Sequence, residues 1–474
     1  MKRIRHIVTS ILLLACMGMG ATGRAQQITD NAIFYHSIRS PWSNSFNPAL
    51  FPENAGWYST LTKTSVQLSL PFSYNDLGLH YDPARDVTVF NVNHLLDYLC
   101  ENGCRFDHNT DVNIWGIGGN IGERLYVTGS LGTRVYNSFN IPIGLLDILT
   151  EGNAGGDHHL DFGAAELFNT QIYGYLSLGA AFKLPIIPLT IGARVNVLDG
   201  IVAASIDNLK ADLYTTEDIG TMRLTTDYLV HCAGIPKIDF KNLDDIDISF
   251  DGITSALMKN MGFTFDIGAK MDGEVVDLSL SIVDLNRGIN WTQNPITIVP
   301  KNPEASVSFS GIDLSTLLTN GVLDTSFLGN LKDSLMAMID YTIEETSYHY
   351  SLPTKLYVGA SVSLGNLLRA GYLFQGQWVN GWFNNHHTGV NHFCCNNTLS
   401  AHLNLFNWLE LSVANSFTYD GNKTTWLNPG CALTLSPGRR FQLYAAIEYL
   451  SAMRLTEVKA AHVMFGINLV SLRD

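Results

Sequence analysis

Beyond its first two dozen residues, this 474-residue chain lacks any uninterrupted apolar run of the roughly 18 residues that a membrane-spanning helix needs. If the chain crosses a membrane, strands must make the crossing, and only a closed barrel then satisfies every backbone donor and acceptor in hydrocarbon. Charge is scarce at 15% of residues, and positive charge scarcer still: 29 Lys and Arg face 43 Asp and Glu, for a net charge of −14. That balance excludes a nucleic-acid partner, which wants a basic surface. Cysteine is limited to seven residues. No nucleophile elbow, phosphate-binding glycine loop or helical zinc-protease motif is present. The sequence therefore gives no reason to expect an enzyme, a cofactor or a resident metal.

What the chain does have is alternation. From Leu125 to Val135 the odd positions read Leu, Val, Gly, Leu, Thr, Val, while Tyr126, Thr128, Ser130, Gly132 and Arg134 fall between them. Leu189, Ile191, Ala193, Val195 and Val197 alternate with Thr190, Gly192, Arg194 and Asn196. Successive strand side chains point to opposite faces, so each segment has one apolar and one polar face. The same rhythm appears at 57–72, 172–183, 276–282, 355–364, 441–448 and 462–469. Glycine- or proline-marked connections at 119–122, 185–188 and 420–422 suit hairpins. About 14 strands result, an even number within the range of outer-membrane barrels. Four stretches interrupt the rhythm and read as helical: 93–101, 143–150, 252–261 and 314–339.

The N-terminus reads as an export signal. Lys2, Arg3 and Arg5 precede an apolar stretch from Ile7 to Cys16, and Ala25 before Gln26 offers a cleavage point. A lipobox ending at Cys16 is the alternative. The expected organisation is a signal peptide over 1–25, an N-terminal segment inside the bore over 26–56, and an all-β transmembrane barrel over 57–474 of a bacterial outer membrane. Six cysteines remain after cleavage: Cys100, Cys104, Cys232, Cys394, Cys395 and Cys431. Their spacing forms no framework; Cys100 with Cys104 is the first pair to test.

Several clusters invite chemistry. His386, His387, His392, Cys394 and Cys395 carry zinc- or copper-ligand chemistry, but their asparagine-flanked spacing reads first as a polar loop. His158 and His159 read the same way. Asp244, Asp245, Asp247 and Asp251 could gather calcium, although the run lacks the glycine and terminal glutamate of an EF-hand and reads first as a solvated loop. Lys183, Arg194, Lys355, Glu410 and Glu448 lie on polar strand faces and should point into the lumen, since Lys or Arg facing lipid costs roughly 2–4 kcal/mol at the midplane. They either hydrate and cross-link a filled interior or select solutes. Trp57, Trp115, Trp291, Trp378, Trp382 and Trp408 suit an interfacial girdle.

Upstream of the first strand, Asn47-Pro48-Ala49 resembles the N-terminal signature of FadL-type outer-membrane transporters and their PorV-like relatives. Ile141 to Leu146, Val283-Asp284-Leu285 with Ile289-Asn290-Trp291, Leu352 to Gly359, and Phe465 to Leu469 resemble, in order, an uncharacterised barrel family of Bacteroidota. By that resemblance Asn47, Pro48 and Ala49 would sit in a lumenal segment, as part of a ligand gate or as a stabilising plug. A channel for small hydrophobic molecules is the leading expectation. A non-transporting PorV-like scaffold for exported proteins is the second, and a soluble glycan-binding β-sandwich the third. Outer-membrane lipid and the barrel assembly machinery are the expected partners. The chain departs from many such barrels by ending in Ser471-Leu472-Arg473-Asp474 rather than on an aromatic residue, which leaves Phe465 to Leu469 as the insertion signal.

Overall fold

The computed structural model describes residues 32–52, 55–83, 86–141, 158–161, 167–215, 222–242, 245–252, 254, 257–301, 306–309, 341–378, 393–406, 408–419, 424–425, 427–450 and 454–472. Fourteen long strands follow one another: β1 Ala55–Ser69, β2 Cys104–Ile121, β3 Leu125–Ile141, β4 Phe168–Lys183, β5 Leu189–Thr215, β6 Met261–Met271 and β7 Val276–Trp291. The second half comprises β8 Thr354–Leu364, β9 Leu368–Trp378, β10 Phe393–Leu405, β11 Leu409–Tyr419, β12 Pro429–Leu435, β13 Phe441–Glu448 and β14 Ala460–Leu472. Each pairs antiparallel with the next, and β14 returns to β1 from Ala55 opposite Leu472 to Ser69 opposite Ala460. The ring is closed, so no barrel strand leaves an unpaired edge.

The period-two pattern decides which side faces which solvent. Leu68, Ile117, Leu131, Leu178, Ile191 and Phe265 are exposed on the outer surface, whereas Gln67, Asn113, Gln171, Asn196, Gln375 and Asn468 are buried within. A soluble protein would have the reverse arrangement. The sandwich reading is thereby corrected: the strands form one ring rather than two facing layers, and the apolar faces point out. Connections at 122–124, 184–188, 272–275, 365–367, 406–408 and 436–440 are short and share one end, where both barrel termini also lie. Gly122, Gly365 and Gly438 take left-handed conformations in three of these turns, where a side chain would be strained. Longer connections occupy the opposite end, as in outer-membrane barrels.

At that far end β5 outgrows its partner. Its ladder with β6 stops at Asp199 opposite Met261, and residues 202–215 pair instead with the strand Met222–Gly234. That strand pairs in turn with Ile296–Pro300 and Ser306–Phe309. The expected helix at 93–101 occupies Val92–Asn102, its first turn capped by Asn91, whose side chain accepts from the His94 N–H at 3.2 Å. Leu95, Leu96 and Leu99 of this helix pack against Phe72, Cys104 and Ile141. Of the helix expected at 252–261, Thr254 is helical and 257–259 form a turn among the described residues, and β6 begins at Met261. The expectations at 143–150 and 314–339 lie outside the described residues.

Candidate functional site in the filled bore

Residues 32–51 run through the interior, and most of them are buried. Their contacts reach strands on every side, a placement that only the inside of the ring allows. Glu448 of β13 accepts from the Ile33 N–H at 3.0 Å, and Glu410 of β11 accepts from the Ser37 hydroxyl at 2.6 Å. Arg194 of β5 donates to the carbonyls of Asn44 and Ser45 at 2.8 Å each, while its Nε meets Asp266 of β6 at 2.6 Å. Ser281 of β7 donates to Phe46 O at 2.7 Å, and Gln442 of β13 donates to Arg39 O at 3.0 Å. Lys63 of β1 donates to Ser45 Oγ and lies over the Trp42 ring.

Asn47 and Ala49 are fully buried. The Asn47 amide donates to Ala269 O at 3.2 Å and Leu280 O at 3.3 Å, bridging β6 and β7, and its oxygen accepts from the Ala49 N–H at 2.9 Å. Pro48 lies against Gly192 and Asn47 against Gly268, two glycines paired on adjacent strands, where a Cβ would collide with the segment. The wall is shaped to this backbone.

The apolar side chains of the segment have their own counterpart. Ile33, Phe34, Tyr35, Trp42 and Phe46 pack with Val283, Tyr357, Leu373, Ala432, Tyr444, Ala446, Tyr449 and Met464, all on the lumen side or the end of strands. Burial lowers the His36 imidazole to about 3, helped by the charges of His402 and Arg369, so the ring is neutral when docked. Burial also raises the Tyr35 phenol, which stays protonated.

Among the five charged strand residues singled out from the sequence, Arg194, Glu410 and Glu448 touch the segment directly, as above. Lys355 is half-buried on β8, close enough to Asp284 for their charges to interact. Lys183 is half-exposed at the short-turn end of β4, 4.0 Å from Asp272. A second group of charges lies farther along the bore: Arg134 reaches Asp111 at 3.1 Å and Asp284 at 3.4 Å. Asp284 in turn donates its N–H to Asp266 at 2.7 Å. Sequence spacing did not flag Tyr35, His36, Trp42, Gly192 or Gly268. The one available signal was glycine recurring on polar strand faces, where a side chain would otherwise fill the bore.

Trp57 and Trp408 are exposed at the short-turn end and Trp115 is exposed part-way along β2, but Trp291 is fully buried in a cluster with Tyr173, Tyr175, Leu198 and Tyr348. Its assignment to the girdle is therefore corrected: a strand-end position suits either face, and the aromatic cluster captured it. Trp378 is half-buried, while Trp382 lies outside the described residues, as do His386, His387, His392 and Asp244. His158 and His159 form part of the strand His158–Asp161; Cys394 belongs to β10. Asp245 and Asp247 lie in the strand Asp245–Phe250 of a hairpin, and Asp251 accepts from Gln293 and Asn294. No group of three His, Cys, Asp or Glu able to hold a metal occurs among the described residues. Cys104, Cys232 and Cys431 carry free thiols, so Cys104 is not bridged to Cys100.

A closed ring with an apolar exterior, short turns at one end and a polar, filled interior defines a transmembrane β-barrel of the outer-membrane type. Residues 48–448 match the model of the family of unknown function DUF5723, and the chain belongs to that family. No curated protein matches it. Among solved structures it is similar to a Pseudomonas aeruginosa FadL homologue at 9% identity and TM-score 0.46, covering 95% of this chain and 99% of that one. The Pseudomonas putida toluene transporter TodX is similar at 8% identity and TM-score 0.38, covering 96% and 95%. Likeness this distant adds nothing to the topology already described.

Proposed function

We propose that this protein is a gated transport barrel for small hydrophobic molecules, with residues 32–51 as a plug that must shift for solute to pass. The observation that carries this reading is the surface beneath the plug. Tyr357, Leu373, Tyr444, Tyr449 and Met464 offer an aromatic and aliphatic wall that the plug covers with Phe34, Tyr35, Trp42 and Phe46. A bore for polar solutes would have no use for such a lining, whereas displacement of the plug would leave a concave apolar surface suited to an apolar guest. Asn47, Pro48 and Ala49 are the hinge end of this plug in the proposal, seated by Asn47 on the β6 and β7 carbonyls. Arg194, Glu410 and Glu448 are its polar latches, and Lys183 and Lys355 line the two ends of the path.

Reconstituted liposomes test the proposal. Uptake of an apolar fluorescent probe should be measurable for the full mature chain and should rise when residues 26–50 are deleted. No flux from either protein, together with a stably co-purifying exported protein, would favour the PorV-like scaffold instead.

A further inference from the structure

Glycines on the lumen face of this barrel are covered by rings. Gly118 lies beneath Tyr58, Gly132 beneath Tyr175 and Gly466 beneath Tyr444, each ring belonging to the residue directly opposite on the paired strand. This is the ordinary way a sheet compensates for a missing side chain. Gly359 of β8 and Gly371 of β9 differ. Their opposite neighbours are Ser279 and Leu373 for the first, Ser361 and Ser400 for the second. Over Gly359 the Ser279 hydroxyl of the opposite strand shares the space with the Tyr35 and His36 rings of the plug, and over Gly371 stands His36 of the plug.

The wall thus supplies no ring of its own at either glycine, and only the Ser279 hydroxyl reaches into the first slot. In the first, the Tyr35 ring stacks on Tyr357 with centroids 6.1 Å apart, and its hydroxyl meets Ser279 Oγ at 3.1 Å. In the second, His36 Nε2 meets Tyr372 O at 3.0 Å. Beside that slot Ser400 Oγ and His402 Nε2 are buried and have no hydrogen-bond partner. Buried polar atoms left unpaired are costly, so a site that leaves them so is suited to an incoming group that can pair with them.

We propose that the slots floored by Gly359 and Gly371 form a binding site for a phenolic ring, and that Tyr35 is its tethered stand-in. This rests on the transport reading and narrows its solute to a planar ring bearing a hydroxyl. The ring would lie on Gly359 against Tyr357 and Leu373, with its hydroxyl paired to Ser279. Ser400 and His402 serve a second polar substituent. Tyr35 is covalently held near the slot, so it competes at high effective concentration, and free ligand binds only when the plug has shifted.

Equilibrium binding of p-ethylphenol and ethylbenzene to the full mature protein in detergent, with a micelle-only subtraction, tests the site. Tyr35→Ala should bind p-ethylphenol at least about tenfold more tightly than wild type, while ethylbenzene gains less than about threefold. In the Tyr35→Ala background, Gly359→Val should abolish that gain. Ser279→Ala, which leaves the shape intact, should weaken p-ethylphenol alone. Equal gains for both ligands, no gain, or a gain that survives both second substitutions would overturn the proposal. Heat-modified gel migration verifies that each variant has assembled. Binding does not require flux, so liposomes that take up nothing while the site binds p-ethylphenol would sink the transport reading and leave the site standing.

Discussion

Removing Arg194 offers the sharpest test of whether the plug is latched by polar contacts. Its guanidinium makes two short charge-assisted hydrogen bonds to the plug backbone, at Asn44 O and Ser45 O, a long one of 3.5 Å to Asn44 Oδ1, and an ion pair to Asp266. Substituting Arg194 alone would strand a buried carboxylate, at about 3–5 kcal/mol, and confuse barrel stability with plug release. The informative variant is Arg194→Met with Asp266→Asn, which removes the charge pair together. Each lost hydrogen bond from a charged donor is worth about 1.5 kcal/mol at the low end, so the docked plug should lose about 3 kcal/mol. That shifts the docked-to-released ratio by roughly a hundredfold. A cysteine at Ser40, fully buried when the plug is seated, reports release through its rate of thiol labelling in an otherwise cysteine-free chain. The labelling rate should rise by about two orders of magnitude while heat-modified migration stays unchanged. Rates within about threefold of wild type would show that Arg194 does not latch the plug.

Gly268→Val places side-chain atoms where Asn47 now lies, so it should expel the plug and raise Ser40→Cys labelling without opening the barrel ring; unchanged labelling would mean that the wall yields instead. Acid should loosen the plug through His36. Its docked imidazole is lowered to about 3, while a released one titrates near 6.5, so docking is fully favoured above 6.5 and weakens as the pH falls toward 3. At pH 5 the loss is on the order of 2 kcal/mol, and it should vanish from the labelling profile of His36→Phe. Membrane fractionation should release the protein only with detergent, given Leu178, Phe265 and Val413 exposed on its outer face; recovery as a monodisperse species in plain buffer would refute the lipid-facing assignment.

Much of the ring was legible because strand alternation is a local property. Leu189 to Val197 and Leu125 to Val135 announced their apolar and polar faces from adjacent residues alone, and the helix at Val92–Asn102 lay within a residue of its expected span. Trp291 was misread because its neighbours in sequence do not show which face of a strand end it takes; Tyr348, 57 residues on, helped to draw it inward. The long extension of β5 was likewise invisible, since Val202 to Thr215 acquire their partner from Met222–Gly234 only after leaving β6. The plug contacts were harder still. Asn47 is bonded to carbonyls more than two hundred residues away, and Ile33 to a carboxylate 415 residues away.

By itself the sequence determined the strands and their two faces, because each depends on residues within a few positions of one another. The tertiary structure alone decided that the ring closes through β14 onto β1, which wall residues Phe34, Tyr35 and Trp42 of the interior segment meet, and that glycines at 192, 268, 359 and 371 make room for that segment. The physical reason is closure: bending a sheet into a ring brings the first and last strands together and gathers polar faces from every strand around one axis. Which residues meet across that axis is set by the register of all fourteen strands at once.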